Sequence, residues 1–423
     1  MSLIDTIITM LGAIESDTIA VHDERCISVR NRNADCLRCV ESCTSGALAY
    51  RVGEIAVEPD RCIGCGTCAT ACPTCAIELR NPTDDELTKQ VKRAIAASKG
   101  HPVFACATAL RGAEAQAEQV RGGKLGNRSQ QATLPCDEAH IVETPCLGRL
   151  DESLLVGLAA YRATDATLVC GDCASCAHAP GGALVRTVVE GARNLLEAFG
   201  SDFSLEFADK LPQREASVQA SVRAQGVAQA IDGAARRAAF KSAKDASVHA
   251  VATAVSHEVS ALAGNGAEPT PPAYRKVGKD GTLSHFVPTR RVRLYNYLKQ
   301  VGQPIVDEVE TRVIGSVAID TEKCRSCRMC AVFCPTGALA KLDEDGAWGI
   351  VHRPSACMQC RLCERLCPED AVTVSGLVPI DQFMGKQAVC YAMKKPTWEP
   401  NKPASMYGKV HTVLGDDLEM CMF

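Results

Sequence analysis

Between residues 100 and 210 short apolar runs alternate with longer mixed ones. HPVFACA (101–107) is a compact apolar run read as a buried strand ending at Cys106, HIVETPC (140–146) as a strand ending at Cys146, and DATLVCG (165–171) as a strand ending at Cys170. ESLLVGLAAYRA (152–163) reads as an amphipathic helix between the last two. Strands alternating with helices predict a parallel α/β sheet, which would place Cys106, Cys146 and Cys170 at the carboxyl ends of three strands, where open α/β sheets bind ligands. Further on the pattern changes. Residues 217–264 are rich in Ala with scattered charges and read as two or three helices, followed by a Gly/Pro linker, GNGAEPTPPAY (264–274). PTRRVRLYNYLKQVG (288–302) has Pro at its start and Gly at its end, with Leu294, Tyr297 and Leu298 at i, i+3, i+4. It reads as one basic amphipathic helix, expected to pack on the C-terminal cysteine block or to dock another subunit. ALAKLDEDGAWGIVH (338–352) alternates around Asp-Gly and reads as a β-hairpin.

Composition changes the picture through one residue type. The chain has 423 residues, and 25 are cysteine. A chain this long can bury a core without staples, and tight C-x-x-C runs suit shared metal better than loop-closing bridges. The first residues carry acids, lack a basic leader and have no long apolar core, and no run of about 18 apolar residues occurs, so neither a cleavable signal nor a membrane helix is expected. A net charge of −4 gives no reason to expect nucleic acid. The expectation is a soluble, cytoplasmic metalloprotein with reduced thiols.

The cysteines repeat. CIGCGTCATACPTCAI from Cys62, CRSCRMCAVFCPTGAL from Cys324 and CMQCRLCERLCPEDAV from Cys357 align without gaps, and CLRCVESCTSGAL from Cys36 is a degenerate fourth copy. The spacing C-x2-C-x2-C-x3-C-P resembles that of bacterial dicluster ferredoxins, in which three thiolates of one loop and a fourth cysteine from the other loop hold each [4Fe-4S] cubane. The resemblance implies one cluster on Cys324, Cys327, Cys330 and Cys367, and another on Cys357, Cys360, Cys363 and Cys334. At the N-terminal end it implies Cys62, Cys65, Cys68 and Cys43 for one cluster, and Cys26, Cys36, Cys39 and Cys72 for the other. Here nine residues, ISVRNRNAD, separate the first two ligands, and Thr44 stands where Pro is expected. A loop can bulge without moving its ends, so the enlarged spacing is tolerable. Cys75 aligns with Gly337 and reads as a small turn residue rather than a ligand.

The middle block ends in Cys170, Cys173 and Cys176, and with Cys106 and Cys146 it reads as a metal or cluster site. Residues 100–200 resemble the delta, iron–sulfur subunit of methyl-viologen-reducing hydrogenases through Pro145, Cys146, Leu147, Gly148, Arg149, Leu150 and Asp151, a helix, Asp165 and Ala166, a strand, and Cys170, Gly171, Asp172 and Cys173. The resemblance implies a [2Fe-2S] cluster and a relay between a dehydrogenase or hydrogenase partner and a flavin-containing, heterodisulfide-reductase-like subunit. The chain departs from that pattern: a second cysteine soon after Cys106 is missing and the last loop is compact. Cys106, Cys146, Cys170 and Cys176 are the favoured ligands, with Cys173 as rival. A [4Fe-4S] centre on Cys146, Cys170, Cys173 and Cys176 is a second reading and zinc a third. Cys136 is expected outside the site, and His178 beside the ligands rather than among them.

No G-x-G-x-x-G follows a strand and no P-loop occurs, so the chain has electron stations without an evident place for two-electron chemistry. The expected class is α+β, two ferredoxin-like dicluster modules flanking a central parallel-sheet domain. Its expected parts are an N-terminal helix (1–25), a dicluster module (26–98), the central domain (99–210), a helical connector with its linker (211–283), a second module (284–378) and a tail (379–423) that contacts a partner or a second copy. The expected function is an electron-transfer subunit of an oxidoreductase complex in anaerobic metabolism. Two rivals remain, a catalytic thiol/disulfide site in the middle block and a zinc scaffold.

Overall fold

The computed structural model describes residues 18–51, 53–122, 134–213, 281–344, 346–385 and 387–396. All of them belong to one compact unit, formed by the stretches before residue 215 and after residue 272. Most of the expected N-terminal helix, nearly all of the helical connector, and the tail positions Trp398, Tyr407 and Cys421 lie outside the described residues. Within 18–25 the chain forms no α-helix: Ile19–Val21 is a strand, β1, followed by a single 3-10 turn, Asp23–Arg25.

That strand is explained by its partner. The hairpin β2 (Leu48–Arg51) and β3 (Glu54–Val57) is followed by β4 (Ile77–Leu79), and β1 pairs antiparallel with β4, Ile19 opposite Leu79. Ile19, Ile77 and Leu79 are buried in one small core with Leu48 and Ile55. A distant pairing overrides local helix propensity here. Helix α1 (Asp84–Ala97) then starts on a capping box, Thr83 with Glu86, and turns Leu87, Val91, Ala94 and Ile95 inward.

The central domain is a four-stranded, wholly parallel sheet of β5 (Val103–Cys106), β6 (Ile141–Thr144), β7 (Asp165–Val169) and β8 (Ser204–Ala208), in the order β6-β5-β7-β8. Its helices are α2 (Ala107–Gly122), α3 (Glu152–Ala160) and α4 (Ala179–Ala198). Helix α3 corrects the sequence reading. It is not amphipathic: every residue from Glu152 to Leu158 is buried. A helix that is apolar nearly all round belongs inside, and what covers its outer side is α5 (Thr289–Val301), the basic helix of the sequence reading. The expectation that α5 packs on the C-terminal cysteine block holds only for part of its surface, since its leucines go to the central domain. Leu294 and Leu298 enter the central core beside Leu154, Leu155 and Leu158. The Tyr297 ring packs against Gly157, where a Cβ would come within 2.9 Å of it. Burying each leucine contributes about 1.5–3 kcal/mol.

The basic residues of α5 are not a solvated face either. Asp84 of α1 accepts from Arg149, Arg290 and Arg293, and Arg290 also faces Asp151 at 3.4 Å. Burial works against the Asp84 charge, but Arg290, Arg149 and Arg293 outweigh it and hold the carboxyl well below its usual range. One carboxylate thus ties α1, the loop after β6 and α5 together. Arg291 reaches the C-terminal module instead, donating to the carbonyls of Pro354, Ser355 and Val313.

The C-terminal module repeats the N-terminal plan. After β9 (Glu308–Glu310), β10 (Ser316–Ile319) pairs antiparallel with β13 (Val372–Ser375) around the hairpin β11 (Leu339–Glu344) and β12 (Ala347–His352). Residues after Val378 return to the body. β14 (Leu377–Pro379) pairs with β9, the Ile380 and Phe383 side chains of α6 (Ile380–Met384) join the central core, and β15 (Val389–Ala392) adds a third strand to the hairpin. Among the described residues, no helix is long and apolar enough to cross a membrane.

Candidate metal centres

Three of the four repeat loops share an unusual backbone. In each, the residue before the second cysteine and the residue after it have positive φ: Gly64 and Gly66, Ser326 and Arg328, Gln359 and Arg361. Non-glycine residues pay strain in this region and cluster at functional sites. Alternation of left- and right-handed residues turns successive N–H groups inward into a concavity that suits an anion such as an iron–sulfur cluster. The donors do reach sulfur: Ser326 N–H to Cys324 Sγ at 3.4 Å, Ala76 N–H to Cys72 Sγ at 3.2 Å, and Ala371 N–H to Cys367 Sγ at 3.3 Å. The degenerate loop keeps the first special position, Asp35 at φ 45°, and loses the second, Leu37 at φ −114°. Cys75 and Gly337 occupy equivalent left-handed turns, at φ 50° and 68°. Thiols, donors and concavities together fit an anionic cluster.

The thiols gather in quartets. Burial raises Cys26 to about 11, with Cys72 and Cys36 adding as like charges. Burial drives Cys39 well up, followed by Cys72, Cys26, Cys68 and Cys36. Cys68 is raised to about 12 by burial and then by Cys65, Cys43 and Cys62. In the C-terminal module, Cys330 rises through burial and then through Cys327, Cys324 and Cys367. Cys363 rises through burial and then through Cys360, Cys357, Cys334 and Cys330. A buried thiol holds its proton until a metal displaces it. Among the described residues, no group of three or more His, Cys, Asp or Glu converges on a single-ion position, and a cubane spreads its thiolates round a larger body than one ion does. Among the described residues, no cysteine forms a disulfide.

The insertion between Cys26 and Cys36 is not a bulge into solvent. It folds as two turns, Ile27–Arg30 and Arg32–Ala34, with Ile27 and Ala34 packed against Met329, Phe333, Leu362 and Leu366 of the other module. The two modules therefore meet, and Cys36 is among the like charges that raise Cys360, whose largest cause is burial.

The middle block forms a pocket lined by Cys106, Cys146, Cys170, Cys173, Cys176 and His178. Cys106 ends β5, Cys146 follows β6 by two residues and Cys170 follows β7 by one. Each of Cys106, Cys146 and Cys176 accepts a backbone N–H at 3.4 Å, from Ala109, Gly148 and His178. Burial raises Cys146 to about 11, with Cys65, Cys106 and Cys176 adding. Cys173 is raised to about 11 by burial, then by Cys170, Cys106 and Cys146, and it hydrogen-bonds Cys170. All five thiols thus share the pocket. Cys136 does not; it lies in a separate small core with Val103, Leu110 and Val169. Cys390 is exposed on β15. Close packing behind the pocket was not foreseen: a Cβ on Gly181 would lie 2.5 Å from Cys146 Sγ, and one on Gly182 2.6 Å from Cys173 Cβ. The signal was present as Pro180-Gly181-Gly182 directly after the cysteine loop.

The pocket abuts the N-terminal module. Thr70 Oγ1 donates to the Arg149 carbonyl at 3.1 Å, and Thr44, which stands where Pro was expected, meets His178 Nδ1 at 3.3 Å. The model of the 4Fe-4S dicluster domain family matches residues 307–371, and that of the 4Fe-4S binding domain family matches residues 53–74. A search of curated proteins finds no match. With these matches on top of the loop geometry, the chain carries ferredoxin-type 4Fe-4S domains in its N-terminal and C-terminal parts, and with them an iron–sulfur electron-transfer role.

Proposed function

We propose that the chain is the electron-transfer subunit of a cytoplasmic oxidoreductase complex, with four [4Fe-4S] clusters and one central cluster arranged in a single file. The quartets are Cys26, Cys36, Cys39 and Cys72; Cys62, Cys65, Cys68 and Cys43; Cys324, Cys327, Cys330 and Cys367; and Cys357, Cys360, Cys363 and Cys334. When bound, each cluster takes up and returns one electron. The observation that carries the reading is the continuity of neighbouring thiols. Arg149, three residues after Cys146, packs on Gly66 beside Cys65; Cys68 and Cys39 share one small core, Cys36 and Cys360 pack on a second, and Cys363 and Cys330 on a third. The file so drawn starts at the central pocket and ends at the Cys324 quartet.

The resemblance of the middle block supports a [2Fe-2S] group there, and as partners a flavin-containing, heterodisulfide-reductase-like subunit and a dehydrogenase or hydrogenase. A catalytic thiol reading asks for a thiolate of lowered pKa, whereas Cys146 and Cys173 are both raised to about 11; relay is favoured. The test is an anaerobic iron count with EPR. About 16 irons correspond to the four ferredoxin-type sites, and about 18 or 20 add the central one. A colourless, zinc-loaded protein refutes the reading. Truncation after Lys395 is expected to weaken capture of the partner subunits while iron content stays; unchanged co-purification would remove the tail from the interface.

A further inference from the structure

The junction between the two ferredoxin-type modules holds a buried arginine with unused donors. Arg30, at the end of the turn Ile27–Arg30, is 7% exposed. Its Nη1 donates to the Glu24 carbonyl at 3.0 Å and, across the junction, to the Ser284 carbonyl at 2.9 Å. Its Nε and Nη2 are buried and have no hydrogen-bond partner among the described residues. An orphaned buried donor is costly, most of all on a charged group, so two on one guanidinium call for a ligand that accepts them. Ser284 belongs to a segment bonded on either side of Cys334, Leu283 N–H to the Val332 carbonyl at 3.2 Å and Phe286 N–H to the Pro335 carbonyl at 2.8 Å. Cys360 packs against the same small core as Ile27 and Ala34, so the guanidinium stands at the Cys334 and Cys360 loops of the opposite module. Burial opposes its charge, which those two thiols favour. The residue arrives there because nine residues stand between Cys26 and Cys36 where the regular loops have two, and Ile27 and Ala34 of that stretch are wedged against Met329, Phe333, Leu362 and Leu366.

We propose that Arg30 is a positioning residue that acts across the module junction, placing its guanidinium charge and two free N–H donors against the cluster held by Cys334, Cys357, Cys360 and Cys363, and so raising that cluster's reduction potential relative to the others in the file. This rests on the reading that these four cysteines hold a cluster. Reduction adds negative charge, and a nearby cation or sulfur-directed donor in a buried site stabilises the reduced form more than the oxidised one. Arg291 also favours its charged state through Cys357, but its donors are already spent on three backbone carbonyls. The opposite crossing exists in weaker form: Arg365 of the C-terminal module donates to the carbonyls of Ala34 and Asp35 and favours the Cys36 thiolate, yet it is exposed and its charge is screened by water. At this junction the Cys334 side thus receives the buried cation, and the Cys36 side, which has Arg38 of its own module, receives from across only the screened one.

The test is an EPR-monitored redox titration of the full, cluster-loaded chain, with Arg30→Gln, Arg30→Lys and Arg365→Gln. The signal of the cluster in question is the one lost in Cys360→Ala. Arg30→Gln is expected to lower the midpoint of that signal alone, by about tenfold in the oxidised-to-reduced ratio, or about 59 mV for one electron. Arg30→Lys, which keeps the charge and loses the fork, is expected to recover part of the shift, and Arg365→Gln to move only the Cys36 cluster and by less. Unchanged midpoints in Arg30→Gln with iron content intact overturn the proposal and leave Arg30 as a packing residue. Equal shifts in all signals overturn it in favour of a global effect. No signal or iron lost in Cys360→Ala overturns the underlying cluster assignment, and the proposal with it.

Discussion

Replacing Gly181 by alanine sets two opposite effects against each other. Gly181 lies in the first turn of α4, where alanine is favoured over glycine by about 1 kcal/mol on helix propensity. The new methyl, however, would sit 2.5 Å from Cys146 Sγ and 2.8 Å from Thr67 Oγ1, whereas ordinary contact begins at 3.4 Å. Cys146 must therefore retreat by roughly 3.4 − 2.5 = 0.9 Å, or α4 must move. Overpacking of this kind costs about 1–3 kcal/mol, so against the propensity gain the fold loses at most about 2 kcal/mol and survives. A metal site tolerates only about 0.2 Å in its ligand distances, so the central centre does not survive. The expected outcome is a folded protein with near-normal melting temperature that lacks the iron and EPR signature of the central group, while the four ferredoxin-type signals remain. The companion Gly182→Ala presses on Cys173 instead, at 2.6 Å from Cβ and 2.8 Å from Sγ. Loss in Gly181→Ala with retention in Gly182→Ala would make Cys173 the spare thiol. Full central iron in Gly181→Ala, with the fold intact, would refute the place given to Cys146.

Asp84→Ala leaves Arg149, Arg290 and Arg293 facing one another without their shared carboxylate. Breaking such a buried cluster costs about 3–5 kcal/mol, which thermal denaturation would register; a change under 1 kcal/mol would mean that water already serves those arginines. Cys75→Ala is expected to leave the iron count unchanged, since Cys75 fills a left-handed turn; loss of one cluster would make it a ligand. His352 is fully buried with neither ring nitrogen partnered, and burial lowers its pKa to about 4. The unfolded chain protonates this ring near its ordinary value of 6.5, so between those limits only the unfolded state takes up the proton. Stability is complete above about pH 6.5 and falls as pH drops toward 4, by about 3 kcal/mol at ~1.36 kcal/mol per pH unit. Apo-protein melts at pH 7 and pH 5 should therefore differ less in His352→Leu than in the native chain; equal differences would place the acid sensitivity elsewhere.

Local spacing determined much of this protein by itself. A C-x2-C-x2-C loop is short enough that its own backbone dictates where three thiols and their N–H donors point, so the shape of the loop is legible residue by residue. Compact apolar strands between helices likewise announced the parallel sheet, because period and length decide local structure before any distant contact forms. What remained illegible depends on partners far apart in sequence. Ile19–Val21 is a strand because Ile77–Leu79 is there to pair with it. The run 152–160 looks amphipathic until α5 covers its far side, and the arginines of α5 look solvated until Asp84 and Asp151 meet them. The insertion before Cys36 reads as a tolerated bulge, and only the packing of the two modules turns it into the carrier of Arg30. Ligand identity is a matter of a few bonds along the chain. Which loops come to lie beside one another, and the charges set beside each, is a matter of which surfaces bury each other, and that was decided by the tertiary structure.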